Sequence, residues 1–406
     1  MLPTYLLDAS PRARARRPWR SAASAAGIAL GVALLIATVA GIGDALGWIE
    51  DRPLHPRPVA PTTTVPQNPA IASALASVLA AHSEAGEFVG ARVTLRDADG
   101  SVTEVTDGSS TIGADAKAVS LDEPWNIGSA TKTFVAVVAL QLADEGLIDL
   151  DRGIEGWMPS LRDADRITPR MLLQHTSGLG EYIDQPIVQA DKQRPWTPTE
   201  LVAVAERAGR VGEPGGQHHY SNTNYIVLGE LIAAASGKTW DEQVRARITG
   251  PLGMDHTDVI GRRGTAVGHR LVDGQFVDST TSAHPSVGGA AGALASTGSD
   301  LIRFAEALAK GKLLSASTTK AMESFVAAED LSRFGVDHSY GLGIERHATS
   351  ALSLVGHMGT GEAQSAYFGF DRVHGRAVAV TTNTAIPGPA AMIAMESLLA
   401  VSAGPL

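Results

Sequence analysis

The sequence predicts an α+β fold in which one antiparallel sheet is built from both ends of the folded chain. Alternating apolar residues over 88–96 and 101–106 predict two early strands, and the turn-forming residues 97–100 join them as a hairpin. Short apolar segments predict three late strands, at 353–357, 365–371 and 376–382. The middle of the chain, from about 150 to 330, is mostly helical in pattern. One sheet flanked by helices, with an all-α region inserted between its two halves, is the economical arrangement of these elements.

Helices are predicted next to both halves of the sheet. Residues 70–85 place small and apolar side chains at helical spacing, and a closing helix is predicted over 390–401. The helix that begins at Ser129 is apolar on nearly all sides, which is typical of a helix buried at the centre of a domain. Clusters of glycine and proline break the helical middle at 211–216 and 288–289.

Composition narrows the class of protein before any motif is considered. The chain has 406 residues, of which 44% are hydrophobic, enough for one large domain or two closely packed ones. The net charge is −10 and no basic patch is interleaved with aromatic residues, which argues against nucleic-acid binding. The absence of cysteine excludes a disulfide framework, a thiol nucleophile and a thiolate zinc site.

Residues 1–20 and 21–43 have the charge pattern of a membrane anchor. Five arginines precede a stretch without any charged residue; they are Arg12, Arg14, Arg16, Arg17 and Arg20. At 1.5 Å per residue a helix over this stretch spans roughly 34 Å, enough for a hydrocarbon core of about 30 Å. The positive-inside rule keeps the basic tail in the cytoplasm and places the rest outside. We therefore predict a single-pass signal anchor, and the alternative is a signal peptide cleaved near residues 38–40.

A proline-rich linker is predicted over residues 44–69. Its prolines favour a semi-rigid extended spacer between the membrane and the folded part; they are Pro53, Pro56, Pro58, Pro61, Pro66 and Pro69. The folded domain is predicted to occupy residues 70–406. We expect this domain to be extracytoplasmic, held at the cell membrane by the anchor or secreted if the signal segment is cleaved.

Ser129 and Lys132 form the most informative pair in the chain. A serine and a lysine three residues apart share one face of a helix, and this serine comes at the helix start. Free backbone N–H groups and the positive end of the helix dipole lie there. A lysine in an apolar helix has a lowered pKa, so its amine can act as a base for the serine hydroxyl. The spacing alone also suits an N-cap serine with a solvated lysine, so further motifs are needed.

Tyr220 and Asn222 supply the second motif. They follow a glycine-rich loop and precede an apolar helix that begins near Tyr225. We expect the Tyr220 hydroxyl to lie beside Lys132, whose positive charge would lower the phenol pKa and let the tyrosine pass protons to a leaving group. Asn222 is expected to hydrogen-bond both Lys132 and the substrate. A tyrosine that only packs in the core is the alternative interpretation.

The third motif contains His357, Gly359 and Thr360. It ends a predicted strand with two glycines, which allow the close approach of a substrate to the backbone. The backbone N–H of Thr360 is the candidate second oxyanion donor beside that of Ser129. By itself this pattern is also explained by a simple turn.

Taken together, the three motifs resemble the serine β-lactamase and penicillin-binding-protein superfamily, and within it the class C β-lactamase and D-alanyl-D-alanine carboxypeptidase-like serine hydrolases. The supporting stretches are NIGSATKTF (126–134), ITPRMLLQHTSGL (167–179), YSNTNY (220–225), LGELI (228–232), ASTGSDL (295–301) and YGLG (340–343). The resemblance covers about residues 75 to 400. It implies a β-lactamase/transpeptidase-like fold.

The resemblance also implies a role for each motif residue. Ser129 is the acylated nucleophile, Lys132 the partner base, Tyr220 the proton shuttle and Asn222 a substrate ligand. One departure concerns Met358, because the family's pattern has threonine or serine between the first residue and the glycine of the third motif. A hydroxyl there binds a substrate carboxylate, and its loss weakens such binding on the order of ten- to a hundredfold. We therefore expect esters and less acidic amides to be better substrates than β-lactams.

Three other features of the sequence do not indicate a catalytic or metal site. His175 lies in a stretch that the resemblance makes a structural turn after a helix. His218 and His219 lack a second ligand pair at metal spacing, so no metal and no cofactor is expected. No Gly-x-Ser-x-Gly elbow occurs, which argues against an α/β-hydrolase.

The sequence thus predicts a membrane-anchored, extracytoplasmic serine hydrolase that forms an acyl-enzyme on Ser129. Its substrate is expected to be a small molecule or a peptidoglycan-type peptide or ester. Esterase, carboxypeptidase and β-lactamase activities remain alternatives, and Met358 favours the esterase slightly. The hypothesis from a different class is a non-catalytic, penicillin-recognising-type envelope protein, against which the intact Ser129, Lys132 and Tyr220 argue.

Overall fold

The computed structural model describes residues 64–65, 68–114, 116–262, 266–328 and 336–403. The predicted basic tail, the predicted membrane-spanning helix and almost all of the predicted linker lie outside these described residues. None of the described helices combines the length and apolar character needed to span a bilayer.

Fourteen strands occur in the described residues. They are β1 (Thr64–Val65), β2 (Gly90–Arg96), β3 (Val102–Gly108), β4 (Trp125–Asn126), β5 (Asp258–Val259), β6 (His269–Val272), β7 (Gln275–Asp278), β8 (Leu294–Ser296), β9 (Val326–Ala327), β10 (Asp337–Tyr340), β11 (Glu345–Ala348), β12 (Ser353–Thr360), β13 (Ser365–Asp371) and β14 (Arg376–Thr382). Nine of them form one antiparallel sheet in the order β1-β3-β2-β14-β13-β12-β11-β10-β9.

The two ends of the folded chain meet where β2 pairs with β14. Val93 lies opposite Val380, and both are buried. The prediction of one antiparallel sheet made from both chain ends is therefore confirmed. Strands β9, β10 and β11 are not predicted by the sequence, because they have only two to four residues and β10 and β11 are mostly polar or charged.

Twelve α-helices lie in the described part of the chain. They are α1 (Pro69–Glu84), α2 (Thr131–Asp144), α3 (Pro169–Leu173), α4 (Pro186–Ala190), α5 (Pro198–Ala208), α6 (Thr223–Ser236), α7 (Trp240–Val244), α8 (Gly250–Leu252), α9 (Gly289–Gly292), α10 (Gly298–Ala309), α11 (Ala316–Met322) and α12 (Pro389–Ala403). Helix α1 starts where the Asn68 side chain accepts hydrogen bonds from Ala70 N (3.1 Å) and Ile71 N (3.3 Å).

The sheet separates two apolar clusters, because successive residues of a strand point to opposite faces. On β14, Ala377 and Ala379 belong to the cluster that contains α2 and α6, whereas Val378 and Val380 belong to the cluster formed with α1 and α12. Helix α2, with Ser129 just before it, therefore lies on the face of the sheet to which Ala377 and Ala379 point.

Helix α2 is buried on all sides, as the sequence predicts. Every residue from 131 to 140 has no exposed surface, and Phe134 stacks on Phe304 with ring centroids 3.8 Å apart. A helix this enclosed fixes the position of the residues at its start.

The predicted all-α region is wrong in one respect, since the middle of the chain also contains strands. β8 pairs with β4 and with β5 in a three-stranded sheet, and β6 pairs with β7 in a hairpin. These strands are two to four residues long, too short to show a periodic pattern. The β4–β8 pairing ties the inserted region to the segment that immediately precedes Ser129.

Candidate active site

Ser129 lies in a single 3₁₀ turn, Gly128–Ala130, that leads directly into α2. Strand β12 passes so close to this turn that backbone meets backbone. A Cβ on Gly359 would lie 1.9 Å from Ile127 O and 2.8 Å from Ser129 N, and a Cβ on Gly128 would lie 2.6 Å from Thr360 N. Only glycine fits at either position, so the backbone N–H groups of Ser129 and Thr360 are held in neighbouring segments.

Lys132 has no exposed surface and is fully hydrogen-bonded. Its Nζ lies 2.9 Å from Ser129 Oγ, 2.8 Å from Asn222 Oδ1 and 2.9 Å from the backbone oxygen of Ala291. Lys132 therefore contacts both Ser129 and Asn222, as the sequence predicts. The three partners thus match the three tetrahedral positions around Nζ that its bond to carbon leaves free.

Burial lowers the pKa of Lys132 to about 7, although the carboxylates of Glu181 and Glu345 act in the opposite direction. A neutral amine has two hydrogens and one lone pair. Asn222 Oδ1 and the Ala291 carbonyl can only accept, so they take the two hydrogens. The lone pair is then directed at Ser129, whose hydroxyl donates to it, as a general base requires.

Glu181 holds Asn222 in the orientation that this network needs. Its Oε2 accepts from the Asn222 backbone N at 2.7 Å and from Asn222 Nδ2 at 3.0 Å. The amide nitrogen is therefore turned away from Lys132, and the amide oxygen is turned towards it. No motif in the sequence indicates Glu181, since a single acidic residue two positions after Leu179 has no distinctive spacing to Ser129 or Lys132.

Tyr220 lies with its ring stacked on His175, with centroids 4.3 Å apart, and Lys132 Nζ is 4.8 Å from the ring centroid. Its hydroxyl is close enough to Ser129 for the serine side chain to act on its pKa. Although 40% of the residue is exposed, burial around the hydroxyl raises the pKa of Tyr220 well above its ordinary value. The expectation that Lys132 lowers the phenol pKa is therefore wrong, because burial dominates at the Tyr220 hydroxyl and the phenol stays protonated.

A hydrogen-bonded chain of side chains lies behind Tyr220. The Ser221 backbone N donates to His175 Nδ1 at 3.2 Å, and His175 Nε2 lies 3.2 Å from Tyr340 Oη. Tyr340 Oη lies 2.8 Å from His357 Nε2, and His357 Nδ1 lies 2.6 Å from the Met358 oxygen. His175 has a φ of +57°, which fits its interpretation as a turn residue, but its support of Tyr220 was not predicted.

The structure does not bring His357 to the substrate side. His357 has no exposed surface and does not line the cavity beside Ser129. The prediction that it binds substrate directly therefore needs correction, because its ring is used inside the hydrogen-bonded chain. Met358 also lies away from the cavity, and its side chain packs against the apolar cluster of α1 and α12.

A cavity of about 210 Å³ opens beside Ser129, and Asn222 and Thr360 also line it. This volume is below the roughly 300 Å³ at the small end of pockets for drug-sized ligands, so a small acyl group fits it best. Among the described residues of the wall, Glu362 is the one charged side chain of the Asp, Glu, Lys and Arg types, and it pairs with Lys192 at 2.5 Å. No described lysine or arginine lines the cavity to bind a carboxylate.

Comparisons with known proteins show the family of the chain. The family model described as "Beta-lactamase" matches residues 75–402. A putative penicillin-binding protein, PbpX of Bacillus subtilis (strain 168), is 28% identical over 225 residues, which cover 52% of this chain and 55% of that protein. The chain thus spans about half the length of this curated relative.

Solved structures match over almost their whole length. A D-stereospecific amidohydrolase from Streptomyces sp. is 31% identical with a TM-score of 0.69, covering 84% of this chain and 98% of the other. The D-amino acid amidase from Ochrobactrum anthropi SV3 is 27% identical with a TM-score of 0.74, covering 82% and 99%. The prediction of an enzyme of the serine hydrolase class is confirmed at the level of the family. The chain belongs to the β-lactamase family, within the serine β-lactamase and penicillin-binding-protein superfamily.

Proposed function

We propose that this protein hydrolyses a small amide or ester through an acyl-enzyme on Ser129. The observation that carries the proposal is the 2.9 Å contact between Ser129 Oγ and the buried amine of Lys132, whose pKa is lowered to about 7. An amine that loses its proton near pH 7 and is aimed at a serine hydroxyl is the acceptor that nucleophilic attack requires.

In the acylation step, Ser129 Oγ attacks the substrate carbonyl carbon while its proton passes to Lys132 Nζ. The carbonyl oxygen becomes an oxyanion, for which the backbone N–H groups of Ser129 and Thr360 are the proposed donors. The proton then returns from Lys132 through the Tyr220 hydroxyl to the leaving amine or alcohol as the carbonyl–leaving-group bond breaks. The high pKa of Tyr220 suits this role, since its hydroxyl donates a proton only as it receives one.

Deacylation reverses the same proton path with water in place of the leaving group. Water attacks the acyl carbon, its proton is accepted by the Lys132 and Tyr220 pair, and the carbon–Oγ bond breaks with a proton returned to Ser129. The balance is one water consumed, with an acid and an amine or alcohol released. Asn222 is proposed to orient the substrate, since it lines the cavity and is fixed by Glu181.

The substrates we propose first are amides of D-amino acids. The two solved structures described above are named for D-stereospecific amide hydrolysis. The absence of lysine and arginine among the described cavity residues disfavours substrates that carry a carboxylate, as β-lactams do. Met358 no longer favours esters as substrates, because its side chain packs against the apolar cluster of α1 and α12 and not beside the cavity.

The proposed activity is tested by comparing three substrate classes on the purified protein. Ammonia release from D- and L-phenylalanine amide, hydrolysis of p-nitrophenyl esters and hydrolysis of nitrocefin are measured in parallel. We expect D-amide turnover to exceed L-amide and nitrocefin turnover and to disappear in Ser129→Ala. Ser350→Ala, at an exposed serine outside the site, is the matched control and should retain full activity.

Two outcomes would count against the proposal. A clear preference for nitrocefin would contradict the substrate class while leaving the acyl-enzyme in place. If Ser129→Ala still hydrolysed the substrates of the unchanged protein, the mechanism would be contradicted. If the unchanged protein bound these substrates but hydrolysed none of them, the non-catalytic envelope protein would be favoured.

A further inference from the structure

A second cluster of chemically capable side chains lies outside the cavity, on β10 and β11. His338 and His347 are directly opposite one another in the antiparallel register of these strands. Their rings stack with centroids 4.6 Å apart and an angle of 9° between the planes. Cross-strand neighbours are the closest pairs that a sheet provides, so the register keeps the two imidazoles together.

All four ring nitrogens of this pair are buried, and no residue in the described part of the chain offers them a hydrogen-bond partner. His347 is 3% exposed, and His338 is half-buried. A neutral imidazole has one donor and one acceptor, and buried polar atoms are normally paired. Two adjacent histidines with every nitrogen unsatisfied are therefore an unusual feature that calls for a ligand.

Glu345 adds a carboxylate to the same cluster. It lies two residues before His347 on β11, and it is 3% exposed. One oxygen of Glu345 and one nitrogen of each histidine all lie within 4.8 Å of one another. Glu345 Oε2 also accepts a hydrogen bond from Met358 N at 3.0 Å, which fixes the carboxylate against β12.

We propose that His338, Glu345 and His347 bind a divalent transition-metal ion such as Zn²⁺. Two imidazoles and one carboxylate are a ligand set that suits zinc, with bonds of about 2.0–2.2 Å and a fourth position left for another ligand. Ligand atoms around such an ion lie closer together than 4.8 Å, and two stacked rings cannot both point at one ion. Binding therefore requires the two rings to turn about their side-chain torsions, with the paired strands β10 and β11 as the fixed frame.

The proposal does not rest on the hydrolytic function, because none of the three side chains lines the cavity beside Ser129. Glu345 nevertheless links the cluster to that site, since its negative charge favours the protonated form of Lys132. The ion would join two short strands near the end of the sheet and neutralise a buried carboxylate. Its expected effect on the protein is stabilisation, since an ion that binds only the folded state raises the unfolding temperature.

The test is metal binding by the full-length, untagged protein after treatment with a chelator. Isothermal titration with Zn²⁺ and visible absorption after addition of Co²⁺ report the stoichiometry and the coordination geometry, and thermal unfolding is followed with and without Zn²⁺. We expect one equivalent of metal, a tetrahedral Co²⁺ spectrum and a higher unfolding temperature of the unchanged protein.

Variants assign the site. His338→Ala changes the more exposed ligand, and His347→Gln changes the buried one; each should weaken metal binding on the order of tenfold or more. His374→Ala is the matched control, because His374 pairs with Asp371 at 2.5 Å but belongs to no group of three possible metal ligands among the described residues; this variant should bind metal normally. Absence of metal binding by the unchanged protein, or binding that persists in folded His338→Ala, would overturn the proposal.

Discussion

At the scale of single residues, the protonation of Lys132 governs the proposed chemistry. Its pKa is lowered to about 7, so the amine is mostly protonated below that pH and mostly neutral above it. We expect kcat/KM to fall about tenfold per pH unit on the acid side of pH 7 and to level off above it. A pH–rate profile on an uncharged substrate measures this directly, and a plateau that continues well below pH 7 would show that Lys132 is not the base.

Tyr220 is predicted to act through its hydroxyl alone. Tyr220→Phe keeps the ring that stacks on His175, so the fold and the neighbouring histidine should be unaffected. We expect kcat to fall by about a hundredfold or more, with little change in KM, since the shuttle is used only after binding. Steady-state kinetics on the same amide checks the split, and an unchanged kcat would remove Tyr220 from the mechanism.

The sequence motifs identified Ser129, Lys132, Tyr220 and Asn222, which the fold brings together. The third hydrogen-bond partner of the Lys132 amine was not predictable in this way, because it is the backbone oxygen of Ala291, which any residue type carries. The direction of the Tyr220 pKa also depends on burial, which only the three-dimensional packing determines.

At the scale of elements, the closeness of β12 to the turn before α2 is the feature that builds the proposed oxyanion site. Gly359→Ala would place a Cβ 1.9 Å from Ile127 O, so the strand and the turn must separate. We expect a large loss of kcat and a destabilisation of about 1–3 kcal/mol. Gly156→Ala is the matched control, because a Cβ there meets nothing within 4 Å. Full activity of folded Gly359→Ala would contradict this account of the site.

Helices α1 and α12 are joined by a buried histidine between two carboxylates. His82 lies 2.6 Å from Glu87 and 3.1 Å from Glu396. Burial lowers the pKa of His82, but the hydrogen bonds and charges of the carboxylates outweigh it and raise the pKa to about 9. A histidine pKa above its unfolded value of about 6.5 stabilises the fold fully below that pH, and this stabilisation is lost as the pH rises through 9.

The variant His82→Gln isolates that contribution. The difference in unfolding temperature between the unchanged protein and the variant should be largest near about pH 6 and should shrink as the pH rises towards about 9. Thermal unfolding of both proteins across this range measures the difference. A difference that does not depend on pH would mean that His82 is not charged in the folded state.

Periodic segments of the sequence were sufficient to predict the central strands and the principal helices. Helix α1 and strands β2, β13 and β14 agree with the predicted ranges to within a few residues. Strand β8 depends on pairing with β4, far away in the chain, and β10 has only four residues, most of them polar, so no local pattern indicates either strand.

At the scale of the whole molecule, the membrane anchor over residues 21–43 stays a prediction. We propose that the hydrolase domain is extracytoplasmic and tethered by this segment. Alkaline extraction of membranes from cells that express the full chain should leave the intact protein in the membrane fraction. A mature chain that starts near residue 40 would instead show that the segment is a cleaved signal peptide, and intact protein in the aqueous fraction would contradict both.

The central claim is that Ser129 forms an acyl-enzyme, and mass spectrometry of a quenched reaction tests it most directly. The unchanged protein is mixed with an amide or ester substrate, stopped in acid and digested. We predict that the peptide containing Ser129 gains the mass of the acyl group, and that this gain is absent from Ser129→Ala. Acylation of a different residue, or a label that persists in Ser129→Ala, would contradict the account.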